Sequence, residues 1–121
     1  MKENQKNAIV VFITASSKKE AVLLAEMLVG SQIAACVQIL PKIQSIYRWQ
    51  GEIQRDEEHI MVVKTTQENF DLLDTEVREM HSYTTPEIVA VPAVAVSTPY
   101  FEWLDENVRH KVKKSAAVKG V

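Results

Sequence analysis

Ala34-Ala35-Cys36-Val37-Gln38-Ile39-Leu40-Pro41-Lys42-Ile43-Gln44-Ser45-Ile46-Tyr47-Arg48-Trp49-Gln50-Gly51 reads as one strand pattern, about three times the length of the usual strand of roughly 5 to 6 residues. At roughly 3.3 Å per residue, about sixteen residues reach on the order of 50 Å, whereas a domain of this size has a radius of gyration of about 13 to 14 Å. The far end of such a strand outruns one compact subunit and needs cover from outside the chain, most simply from a second copy. Val37, Ile39, Ile43, Tyr47 and Trp49 fall on one parity, as the residues of one strand face do. Pro41 interrupts the alternation as prolines do at bulges and edges, so a bend is expected over 40–42.

Downstream, Trp49-Gln50-Gly51-Glu52 carries the glycine a tight reversal needs. Ile53 to Thr66 then returns as a second long strand, polar at first and apolar from Ile60 to Val63. Upstream, Ala8 to Ile13 is a short apolar run suited to a buried first strand. Ser17 and Glu20 form a capping box for a helix with Ala21, Leu24, Ala25 and Leu28 on one side, ending at Gly30. Thr65-Thr66 offers an N-cap to a second helix with Phe70, Leu73, Val77 and Met80 on one side, stopped by Ser82 to Pro86. Ile88 to Val96 suits a central strand, although Pro92 argues for a bulge or edge. Thr98-Pro99 opens a last short helix marked by Tyr100, Trp103, Leu104 and Val108.

This order predicts an α+β fold of the ferredoxin-like, split βαβ kind: an antiparallel sheet with a long hairpin between its second and third strands and an extra C-terminal helix. One domain spans 1–121, with 1–7 and the basic tail 109–121 expected to be flexible. Both main helices cover the same sheet face. The other face stays open and carries Val, Ile, Tyr and Trp, which predicts oligomerisation.

Composition narrows the function classes. The chain has 121 residues, 46% hydrophobic and 25% charged, as an ordinary single domain does. A formal net charge of -2 supplies no positive field for phosphate, so no nucleic-acid partner is expected. The single cysteine, Cys36, cannot form an intrachain disulfide. The opening Met-Lys-Glu-Asn-Gln-Lys-Asn lacks the apolar core of a signal peptide, and no apolar run approaches the roughly 20 residues of a membrane span. A cytoplasmic location with no membrane partner is the expectation. No glycine-framed serine and no phosphate-cradling loop occurs, with only 3 glycines in the chain, so no enzymatic activity is expected.

Ala34-Ala35-Cys36-Val37, Pro41, Ser45-Ile46-Tyr47-Arg48-Trp49-Gln50-Gly51, Lys64-Thr65, His81-Ser82-Tyr83-Thr84-Thr85-Pro86-Glu87-Ile88 and Tyr100-Phe101-Glu102-Trp103-Leu104 together resemble the CutA divalent-cation tolerance family, in order from about Ile9 to Val108. The resemblance implies a ferredoxin-like subunit that assembles as a tight homotrimer and is linked with cellular tolerance of copper and other divalent metals. It brings no enzymatic reaction. Relatives with an assigned copper site place a cysteine in the first strand and two adjacent histidines before the Tyr-x-x-Pro-Glu segment. Those positions are Ile13 and Met80-His81 here.

The donor inventory for Cu(II) or another divalent cation is Cys36, His59, His81 and His110, with no chelating Cys-x-x-Cys or His-x-x-x-His spacing. His81 is the candidate ligand, and its structural alternative is a helix C-terminal histidine that favours the dipole when protonated. Cys36 reads as a small buried hydrophobe, His59 as solvated within a charged run, and His110 as part of the basic tail. A second constellation comprises Lys64, Tyr83 and Glu87 with Tyr47 and Trp49. It reads as an ion pair of Lys64 with Glu87 at a subunit contact, or as an intersubunit cleft for a small anion or metal-bound ligand. Tyr47 and Trp49 are expected as interface anchors, and Trp103 as packing on the sheet or on a neighbour. Two functions follow: a homotrimeric cation-tolerance protein that binds copper, or a trimeric small-ligand or signalling module that needs no metal.

Overall fold

The long segment folds back on itself. In the computed structural model, which describes residues 7–111, β2 (Cys36–Trp49) and β3 (Glu52–Thr66) pair antiparallel from Cys36 opposite Lys64 to Trp49 opposite Glu52. Gln50 and Gly51 join them with φ of 50° and 81°, the positive pair that a two-residue turn needs to match strand twist. Space around Gly51 is open, so only its backbone angle resists a side chain. Gly51→Ala is expected to cost about 1 kcal/mol, read as a lower urea midpoint with an unchanged slope.

The bend predicted at Pro41 is a β-bulge: Leu40 lies opposite Ile60 and Ile43 opposite Glu58, leaving Pro41 and Lys42 together against His59. Lys42 takes a φ of 48° to do so. The extra residue changes the face on which the arm's side chains lie. Directly opposed residues share a face, so Val37 and Ile39, across from Val63 and Met61, join the core beneath the helices. Ile43, Tyr47 and Trp49 lie across from Glu58, Gln54 and Glu52, on the other face. The single parity read from the sequence is therefore split between two faces.

The sheet order is β2-β3-β1-β4, with β1 (Ala8–Ala15) antiparallel to both β3 and β4 (Ile88–Pro92). The last strand is an edge strand that stops at Pro92, shorter and less central than its apolar run suggested, because proline donates nothing to a ladder. α1 (Lys18–Gly30) and α2 (Phe70–Met80) supply Ala21, Leu24, Leu28, Leu73 and Val77 to a core completed by Val11, Ile13, Met61 and Val63. The second helix does not begin at a threonine cap. Thr65 and Thr66 end β3, where Thr65 Oγ1 donates to Ile33 O at 2.6 Å and Thr66 Oγ1 accepts from Asn69 Nδ2 at 2.9 Å. A 3-10 turn over Gln67–Asn69 leads into α2, and Met80, at its end, is exposed rather than on the core side.

The final helix, α3 (Thr98–Glu106), is preceded by Ser97 rather than capped by Thr98. Phe101 and Leu104 are buried, and Leu104 packs with Val108 and Ala35. Trp103 is exposed and packs at a tilt against Tyr100 with ring centroids 5.5 Å apart. The start of the tail is docked, against expectation: Arg109 N–H donates to Gln32 O at 2.7 Å, and Asn69 Nδ2 donates to Arg109 O at 2.9 Å. His110 Nδ1 lies 2.6 Å from Glu68 and its Nε2 2.9 Å from Asp105 O. The remainder of the expected flexible termini, 1–6 and 112–121, lies outside the described residues.

The sheet face away from α1 and α2 presents Val10, Phe12, Ile60 and Val62 half-buried and Leu40, Val89 and Val91 exposed. No helix among the described residues is long and apolar enough to cross a membrane.

Candidate functional site

His81 ends α2, its N–H donating to Val77 O at 2.9 Å, and its side chain turns inward under β1. Nε2 lies 2.7 Å from Thr14 O, and Nδ1 accepts the Tyr83 N–H at 3.1 Å. A carbonyl oxygen only accepts, so Nε2 carries the hydrogen and the ring is the neutral tautomer with both nitrogens used. No lone pair remains for an ion. The ring also packs at a tilt against Tyr83, with centroids 4.9 Å apart.

Glu20 locks the same corner. Its carboxylate accepts the Ser16 N–H and hydroxyl, both at 2.9 Å, and the Ser82 N–H at 2.7 Å, and it stands 3.8 Å from His81 Nδ1. The half of the capping box that holds is Ser17 Oγ accepting the Glu20 N–H at 3.1 Å. Burial pushes the Glu20 pKa up, but the hydrogen bonds from Ser16 and Ser82 outweigh it and hold the carboxyl at about 2. The start of α1 is thereby tied to the segment following α2.

That segment, 82–87, forms one wall of a cleft of about 720 Å³ whose other wall is the hairpin arm, from Glu58 near its base to Trp49 beside its turn. Tyr47 and Trp49 from β2, Glu58 from β3, and Tyr83 and Glu87 all line it. Tyr83 Oη donates to Glu58 Oε2 at 2.8 Å, and Tyr47 Oη donates to Asp56 Oδ2. Both phenols are pushed to higher pKa, Tyr83 by burial and then by Glu58, Tyr47 chiefly by its bond to Asp56. Glu58 is only 6% exposed.

The structure brings together four of the six residues singled out for a cleft or interface: Tyr47, Trp49, Tyr83 and Glu87. Lys64 and Trp103 are not among the cleft's lining residues. Lys64 Nζ donates to Gln38 Oε1 and sits opposite Val10, whereas Glu87 precedes Ile88, which pairs with Ile13. That register puts Glu87 level with Thr14, four residues of β1 from Val10 and about 13 Å away, so the Lys64–Glu87 pair does not form within one chain. Glu58, Thr14 and Glu20 were missed. Glu58 reads as part of a solvated charged run, and only its phase with Ile60 and Val62 on one strand face signals otherwise.

Among the described residues, no group of three or more His, Cys, Asp or Glu is arranged to hold an ion. Ile13 is fully buried in the core and Met80 points to solvent, so neither relative-like ligand position supplies a donor. Cys36 is half-buried opposite Lys64, and His59 is half-buried rather than solvated, its Nδ1 enclosed without a hydrogen-bond partner.

Comparison with known proteins agrees with this architecture. The model of the CutA1 divalent ion tolerance protein family matches residues 9–107. The "Divalent-cation tolerance protein CutA" of Thermus thermophilus is 47% identical over 98 residues, 81% of this chain and 95% of its own length. "Protein CutA, chloroplastic" of Arabidopsis thaliana is 37% identical over 112 residues, 91% of this chain but 62% of that longer protein. The crystal structure of CutA1 from Oryza sativa superposes with a TM-score of 0.84 at 35% identity, covering 87% of this chain and 96% of that one. The residues that carried the resemblance, from the Ala34 segment to the α3 aromatics, all fall inside the matched span, and the chain belongs to the CutA1 divalent ion tolerance protein family.

Proposed function

We propose that this chain works as a homotrimer in the handling of divalent cations, and that its binding function resides in the cleft beside the hairpin arm rather than in an ion held on His81. The observation that carries this reading is the pairing of a fully engaged His81 with an open cleft beside it. The trimer is supported by the apolar sheet face and the projecting arm, each of which leaves large hydrophobic side chains in water in the single chain. No reaction is assigned to the cleft. A cytoplasmic location is part of the proposal, in keeping with a lone cysteine, Cys36, that has no partner within the chain for a disulfide.

Copper binding is the second reading, favoured by the family's name and opposed by the donor chemistry above. Titration calorimetry with Cu(II) and Zn(II) on the protein and on His81→Gln separates the two, with sedimentation velocity run on the same samples. The expected result is a trimer whose heat of metal addition is the same in both proteins. A one-per-chain Cu(II) site that disappears in a folded, trimeric His81→Gln protein would restore the copper reading.

A further inference from the structure

We propose that His110 is a pH-operated latch at the root of the basic C-terminal segment: as imidazolium it fastens residues 110 and 111 to Glu68 and Asp105, and loss of its proton releases them as far as a hinge at Arg109. The latch lies at the end of β3 remote from the hairpin turn, where Glu68 follows the strand in the 3-10 turn and Asp105 comes from α3. It shares no lining residue with the cleft beside the arm.

The geometry specifies the protonation state. Nδ1 of His110 lies 2.6 Å from Glu68 Oε1, and Nε2 lies 2.9 Å from the Asp105 carbonyl oxygen with Asp105 Oδ1 at 3.6 Å. A carboxylate and a carbonyl only accept, so both ring nitrogens must donate, which only the doubly protonated ring can do. Either neutral tautomer sets a ring lone pair against an oxygen lone pair. His81 is the contrast within the same chain: its nitrogens meet one carbonyl and one N–H, which suits the neutral ring. Among the described residues that line the hollow around His110, the other four, Asn7, Thr66, Gln67 and Phe101, are uncharged. Arg109 and Lys111 flank His110 in sequence, so the charges about it are two carboxylates in front and two cations on its own segment. The Asp105 carbonyl and then Glu68 push the imidazole to higher pKa, against the lesser effect of burial.

The direction of the switch follows. An imidazole raised by docking holds fully below the ordinary pH of 6.5 and loses its hold as pH climbs through the higher midpoint of the docked state. Deprotonation loosens two residues together, because Glu68 also accepts the Lys111 N–H, through Oε2 at 3.3 Å, a bond too long to replace the lost one. Release stops at Arg109. Its N–H donates to Gln32 O at 2.7 Å, its carbonyl accepts from Asn69 Nδ2 at 2.9 Å, and Val108 before it is buried with Leu104 and Ala35. None of those anchors titrates. Residues 109–121 carry one arginine, four lysines and no Asp or Glu, so the proton on His110 decides whether the start of a positively charged segment is held on the subunit or presented to solvent.

The test is an NMR titration of the full-length ¹⁵N-labelled protein between roughly pH 5.5 and 8.5, following the His110 ring nitrogens and the backbone amides of Arg109 and Lys111 with their heteronuclear NOE. The expected result is a His110 midpoint above 6.5, a Lys111 amide that shifts with that midpoint and loses its NOE above it, and an Arg109 amide that keeps its NOE throughout. Glu68→Gln should lower the His110 midpoint by about half a pH unit or more, a modest shift because the ring is 50% exposed. His110→Gln cannot take up the proton and should leave Lys111 mobile at every pH. A midpoint at or below 6.5, a Lys111 amide that stays ordered through the titration or in His110→Gln, or an Arg109 amide released in step with Lys111 would each overturn the latch.

Discussion

Val62→Glu is expected to leave the subunit folded and to abolish its assembly. Val62 sits on the central strand β3, across from Phe12 on β1 and Gln38 on β2, in the middle of the sheet face that α1 and α2 do not cover. In the single chain its side chain is only half-buried and a carboxylate there can reach water, so the subunit should lose no more than about 1 kcal/mol, largely strand propensity. In the proposed homotrimer the middle of that face, around Val62, is covered by a neighbouring copy. Each copy would then bury an unpaired charge among Val10, Phe12 and Ile60, at a cost of several kcal/mol per subunit. That is enough to dissociate the assembly at micromolar concentrations. Sedimentation velocity should show a monomer with an unchanged far-UV circular dichroism spectrum, while Val94→Glu, at a position already 81% exposed, should remain assembled. An intact trimer carrying Glu at 62 would show that the subunits meet through some other surface.

The elements legible in the sequence were those specified by neighbours. Gly51 announces its turn because only a residue free of a side chain adopts that φ cheaply. Pro41 announces a bulge because proline has no N–H to give a ladder. What the alternation could not disclose was that the bulge adds one residue to β2 alone, so that Ile39 and Ile43, both odd in number, end on opposite faces. The site was legible as a set of residue types and hidden as a set of contacts. Tyr83 and Glu87 stand out in their segment, yet the partner of Tyr83 is Glu58, from a run that resembles ordinary solvated charge. His81 looked available because its partners are backbone groups, Thr14 O and Tyr83 N–H, that no side-chain motif marks. The docking of Arg109 to Lys111 depends in the same way on Glu68 and Asn69, some forty residues earlier.

Glu20→Gln is expected to destabilise the fold by about 1 to 3 kcal/mol near neutral pH and to erase a specific part of its acid sensitivity. The carboxyl is held at about 2 against an ordinary 4.5, so the folded state favours the ionised form. A depressed carboxyl of this kind contributes its full stabilisation above about pH 4.5 and loses it as pH falls towards 2. With its side chain only 14% exposed, little of this is screened by solvent. The amide of Gln keeps one accepting oxygen and turns an NH₂ toward groups that are themselves donors, the N–H of Ser16 or of Ser82. Thermal melts should therefore place the variant roughly 5 to 10 °C below the parent at pH 7. The gap should close as both approach pH 2, because protonation makes the parent's carboxyl neutral as well. A constant gap from pH 7 to pH 2 would mean that the substitution acts through shape and not through charge. The same lesion should reach the cleft, since the Ser82 N–H is the anchor of segment 82–87 and Tyr83 follows it directly. Faster exchange of the Ser82 amide in Glu20→Gln at neutral pH, with the core strand amides of β1 and β3 still protected, would locate the damage at that anchor.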